Sequence, residues 1–99
     1  MDGRKVDREM AERLGRNVFM ARRRASLSQE ELGARSSLHR TEIGMVESGE
    51  RLPRVDTLMK ISGALEVRPE ALLRGIEWIA PAPPPGGSFL VGLSDRGGR

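Results

Sequence analysis

Ser28-Gln29-Glu30-Glu31 can begin a helix at one place along this chain. The Ser28 hydroxyl can accept from the N–H of Glu31, while the Glu31 carboxylate reaches back to the N–H of Ser28. This reciprocal cap satisfies two donors that a helix start leaves open. The helix so begun is short, because Ser36 and Ser37 interrupt it after about Arg35. So short a helix is marginal by itself and must be held by its neighbours. Leu32 and Ala34 are expected to face inward.

The flanking sequence supplies those neighbours. Val6, Met10, Leu14, Val18 and Ala21 recur at three- and four-residue steps, which predicts a long amphipathic helix from about Asp7 to Ala25. After the serine break, a third helix is expected from about His39 to Glu47. Leu38 and Ile43 are spaced as a hydrophobic staple across its start, and Ser48-Gly49 ends it. Pro53 marks a loop. A fourth helix follows from about Val55 to Leu65, with Val55, Leu58, Ile61, Ser62 and Leu65 on one face. Pro69 and Glu70 suit the first turn of a fifth, which runs to about Arg74.

Beyond Gly75 the pattern changes. Ile76 to Ala80 and Ser88 to Leu93 alternate as candidate strands, separated by a Pro- and Gly-rich spacer that cannot be helical. The tail can form a β-hairpin, pair with a second chain, or fold back on its own domain. Ser94 to Arg99 is expected to be disordered. The fold class is thus an all-α, five-helix domain over residues 7–75. An extended tail, 76–99, follows as a candidate dimerisation arm.

Charge points to the partner. The chain carries a net +3, all of it within residues 1–76, so a polyanion should meet that part. Cysteine is absent, which excludes disulfides and thiolate chemistry. No apolar run approaches a membrane span, and the charged N-terminus does not read as a secretory signal. A cytoplasmic location and no membrane partner are expected.

Over about residues 13–74 the sequence resembles the Cro/repressor-type helix-turn-helix domain of phage repressors and xenobiotic-response-type regulators. The resemblance rests on Leu27-Ser28-Gln29-Glu30-Glu31-Leu32-Gly33-Ala34-Arg35, on His39-Arg40-Thr41-Glu42-Ile43, and on Val46-Glu47-Ser48-Gly49-Glu50-Arg51-Leu52-Pro53. It continues through Asp56-Thr57-Leu58-Met59-Lys60-Ile61-Ser62-Gly63-Ala64-Leu65-Glu66-Val67. It implies a lambda-repressor-like fold and double-stranded DNA as partner. It also implies that Gln29 clamps the DNA backbone, and that Arg22 and Glu47 form a structural ion pair between the first and third helices. Arg54 stands where the family often has a small capping residue, which weakens the expected cap of the fourth helix.

The residues have a physical logic of their own. A helix entering the major groove needs polar or small residues outward and apolar ones inward. With Ile43 and Val46 inward, Arg40, Thr41, Gly44 and Met45 are left for base readout. Arg40 can give two hydrogen bonds to guanine, and Thr41 can meet a base edge or a thymine methyl. Ser28 and Gln29 open a helix whose free N–H groups attract phosphate. His39 reads as a phosphate contact or an exposed cap. Arg51 and Arg54 can bind phosphate, reach a minor groove, or remain solvated.

One recognition helix covers few base pairs, so two half-sites and a homodimer on a palindromic operator are expected. Leu72, Leu73, Ile76, Trp78 and Ile79 are the candidate dimer interface. The competing reading is a protein-interaction adaptor that keeps the fold without specific DNA readout. An enzyme is not expected: the sequence shows no nucleophile–base pairing, metal cluster or phosphate-cradling loop. No catalytic residue, metal or cofactor is implied.

Overall fold

A computed structural model describes residues 3–92. The elements run α1 (Gly3–Arg24), α2 (Gln29–Ser36), α3 (Arg40–Glu47), α4 (Val55–Leu65), α5 (Pro69–Leu72), β1 (Ile76–Ile79) and β2 (Ser88–Val91). α1 begins at Gly3, four residues before its expected start at Asp7. Lys5, Arg8 and Glu9 are good helix formers and exposed, so this first stretch of the helix stands clear of the core.

The helices close around one core. Leu14, Val18 and Ala21 of α1 meet Leu32, Ile43, Val46, Ile61, Leu65 and Leu72. α1 lies very close to the C-terminal end of α3. A Cβ on Gly15 would collide with the Val46 carbonyl oxygen and lie 2.6 Å from that of Glu47. Only glycine lets the two backbones approach this closely.

α2 starts as its sequence demands. Glu31 N–H donates to Ser28 Oγ at 3.0 Å, and Ser28 N–H donates to Glu31 Oε1 at 2.8 Å. It ends at Ser37, which takes the left-handed conformation and donates its N–H to the carbonyls of Ala34 and Gly33. Ala34 is exposed, against expectation. Gly33 and Ser36 share the inward side with Leu32 instead. Gly33 fits beneath the Leu38 carbonyl, and Ser36 can be buried because its hydroxyl donates to Leu32 O at 2.7 Å.

α4 buries Ile61, Ser62 and Leu65, but Val55 is 75% exposed. At the first position of the helix it stands beyond the reach of the core. α5 stops at Leu72, before the expected Arg74. Two polar residues of α1 tie down this end. Asn17 Nδ2 donates to the carbonyls of Leu72 (2.8 Å) and Arg74 (2.9 Å), and Arg13 Nε donates to that of Arg74 (3.0 Å).

The tail forms an antiparallel hairpin within the chain. Ile76 pairs with Val91, Glu77 with Leu90, Trp78 with Phe89 and Ile79 with Ser88. Paired residues share a face, so the Ile76–Val91 side carries Trp78 and Phe89 further out. These two rings meet edge to face with centroids 5.1 Å apart. Leu93 and the stretch Ser94 to Arg99 lie outside the described residues. Among the described residues no helix is long and apolar enough to cross a membrane.

Candidate nucleic-acid interface

α3 is the centre of the site. Ile43 and Val46 are fully buried, which turns Arg40 and Thr41 outward, both exposed; Gly44 and Met45 are half-buried. His39 caps the helix: its Nδ1 accepts from the N–H of Thr41 at 3.0 Å. An accepting Nδ1 in a neutral ring leaves Nε2–H as the remaining donor.

A buried ion pair fastens α3 to α1. Arg22 Nε donates to Glu47 Oε2 at 2.6 Å and Nη2 to Oε1 at 3.0 Å, while Nη1 donates to the Leu27 carbonyl at 2.9 Å. The two side chains are 10% and 6% exposed. The hydrogen bond to Glu47 holds the Arg22 guanidinium above its ordinary pKa, against the opposing effect of burial. The fork geometry satisfies both carboxylate oxygens at once.

Gln29 joins this network. Its Nε2 donates to Glu47 Oε1 at 3.0 Å, and its amide oxygen lies beside Gly44, where a Cβ would sit 3.6 Å away. One carboxylate thereby ties α1, α2 and α3 together. Gln29 is half-buried across the α2–α3 junction. Sequence reasoning had Gln29 and Glu47 in separate roles; nothing in their spacing reveals that they touch.

Arg51 and Arg54 are exposed in and after the loop that follows α3. Arg54 is the N-cap of α4 and makes no side-chain cap; its Nε is 3.5 Å from Asp56 Oδ1, both groups being largely solvated. The residues expected at a subunit interface separate into two sets. Leu72 is 1% exposed and belongs to the monomer's own core, so its surface is spent within the fold, and Ile76 is half-buried against that core. Leu73, Trp78 and Ile79 are exposed, as are Phe89, on the Trp78 face of the hairpin, and Leu90, on the Ile79 face. The last two were legible as part of a strand, but their places opposite Trp78 and Glu77 required the register.

Two short helices held at a tight turn, the second with a polar outward side and a pinned base, define a helix-turn-helix protein. The chain belongs to the HTH_3 helix-turn-helix family, a family of DNA-binding transcriptional regulators, which residues 19–72 match. It is similar to the control protein C.BamHI of Bacillus amyloliquefaciens, with 44% identity over 50 residues, covering 50% of this chain and 62% of that one. The match thus spans less than two thirds of that relative's length. The fold is similar to the restriction-modification controller protein C.AhdI of Aeromonas hydrophila (TM-score 0.62, 32% identity, 63% of this chain and 94% of that one). It is also similar to the P22 c2 repressor in complex with synthetic operator 9T (TM-score 0.59, 27% identity, 63% of this chain and 94% of that one).

Proposed function

We propose that the chain regulates transcription by reading double-stranded DNA as a homodimer on a palindromic operator. The observation that carries this is the presentation of α3: Arg40 and Thr41 stand outward on a helix whose inner side is locked by Arg22, Glu47 and Gln29. Arg40 and Thr41 read base edges, Gly44 admits the groove wall, and Met45 makes an apolar contact. Ser28, Gln29, His39, Arg51 and Arg54 hold the backbone. Gln29 keeps a second amide N–H for phosphate while Glu47 takes the first, and His39 offers Nε2–H. Leu73, Trp78 and Ile79 bring two copies together. The likeness to restriction-modification controllers favours such a controller, acting in the bacterial cytoplasm.

Selection of DNA from a random pool is the test. A palindrome should be enriched. On it, Arg40→Ala should relax preference at one base position in each half-site and cost ~1–3 kcal/mol. Gln29→Ala should weaken all sequences alike. A pool that returns no enriched sequence overturns this reading in favour of the adaptor.

A further inference from the structure

A groove between α1 and α5 is lined by four arginines, Arg13, Arg16, Arg24 and Arg74, over the apolar side chains of Met20, Val67 and Ala71. No aspartate or glutamate lines it among the described residues. DNA reading does not account for this concentration of charge. α1 meets α3 through Gly15 and Arg22. At 3.6 residues per turn, the groove residues of α1 lie roughly 150° around the helix from that side. The three arginines of α1 therefore face away from the recognition helix.

The size of the groove selects among occupants. Its volume is about 220 Å³, whereas sites for drug-sized ligands hold roughly 300–1,000 Å³. It suits one or two inserted side chains better than an effector molecule. The floor is built in advance: Asn17 is held on the carbonyls of Leu72 and Arg74, and Arg13 Nε on that of Arg74. Met20 is 39% exposed within it, an adaptable apolar surface. Arg16 and Arg24 are exposed at the rim, placed to meet carboxylates.

We propose that this groove docks a partner protein through an amphipathic helix that inserts apolar side chains between flanking glutamates or aspartates. The interaction surface lies away from α3, so protein binding and DNA binding can occur together. Charge complementarity sets the choice of partner; the apolar floor supplies the anchor.

The probe is a synthetic helical peptide with leucines one turn apart flanked by glutamates. Its control has every glutamate replaced by glutamine. Binding to the full chain is followed by calorimetry and by amide shifts in NMR. The acidic peptide should bind, with shifts confined to residues 13–24 and 67–74. The glutamine control should bind about tenfold more weakly, and so should the acidic peptide to the Arg16→Gln, Arg24→Gln double variant. Helical content and melting temperature verify that the variant folds. DNA affinity of the double variant should hold at physiological salt, where screening acts within about 8 Å. Equal affinity for the two peptides overturns the proposal, as do shifts centred on α3 or the hairpin, or no binding at all. A double variant that loses DNA affinity overturns it too, and marks the face as a phosphate contact. If the chain binds no DNA while the peptide results hold, the regulatory reading alone is lost.

Discussion

Glu47 is the residue on which the reading head depends. Its carboxylate accepts from Arg22 twice and from Gln29 once, at 6% exposure. Removing it leaves a buried guanidinium bonded to the Leu27 carbonyl but stripped of its carboxylate partner. Breaking a buried pair from one side costs ~3–5 kcal/mol. Glu47→Ala should therefore lower the melting temperature by more than ten degrees, at about 4–8 °C per kcal/mol for a domain of this size. A thermal melt within a few degrees of the parent would count against the pair as a support. Both partners were expected from the resemblance, because each sits at a matching position. Gln29 as a third member was not legible: its own segment shows only a polar residue at a helix start. The polar residues Arg13 and Asn17 escaped for a similar reason. They lie within an amphipathic helix but on the side toward α5, where the carbonyls they bind belong to residues more than fifty positions away.

Elements were legible where their determinants are local. The start of α2 is an example, since every atom of its cap lies within four residues. It also gives a pH test. The Glu31 carboxylate has its pKa lowered, chiefly by the hydrogen bond from the Ser28 backbone N–H. A carboxylate depressed on folding contributes stability above its unfolded pKa, and that contribution is lost as pH falls through the folded value. Acidification below the ordinary carboxylate range should fray α2 first. Hydrogen exchange at residues 29–32 should report this, and Glu31→Gln should remove the acid dependence while keeping the geometry. A different constraint governs α1 and α3. Gly15 sits under two backbone oxygens, Val46 and Glu47, and backbone cannot swing aside as a side chain can. Gly15→Ala gains helix propensity yet should destabilise by ~1–3 kcal/mol through overpacking. Denaturant unfolding that shows a more stable variant would contradict the close approach. The inward assignment of Ala34 failed because it stands two residues, about 200°, from the buried Leu32, and that of Val55 failed because a helix end can overrun the core it packs on.

At the scale of the whole molecule, apolar surface remains to be covered. Trp78, Ile79, Phe89 and Leu90 are each between 43% and 55% exposed, gathered on one hairpin. Trp78 and Phe89 meet edge to face on one side of it and Ile79 and Leu90 lie on the other, and exposed apolar pairs of this kind mark an association surface. Under the dimer reading, Trp78→Ser with Phe89→Ser should shift sedimentation from dimer to monomer and weaken binding to a two-half-site operator, while one half-site is bound as before. A parent chain that sediments as a monomer at high concentration would remove the basis for that expectation.

The chain's own order of residues decides where helices start and stop, which side of each is apolar, and that Arg40 and Thr41 follow a cap. These depend on neighbours within a turn or two, and the physics of caps and periodicity is local. Packing alone decides that Gln29 lies against Glu47, that Leu72 is spent in the core, that the hairpin aligns Trp78 with Phe89, and that four arginines converge behind α1. Each of those facts brings together residues far apart in the chain, and such meetings arise only when the helices close around a shared interior.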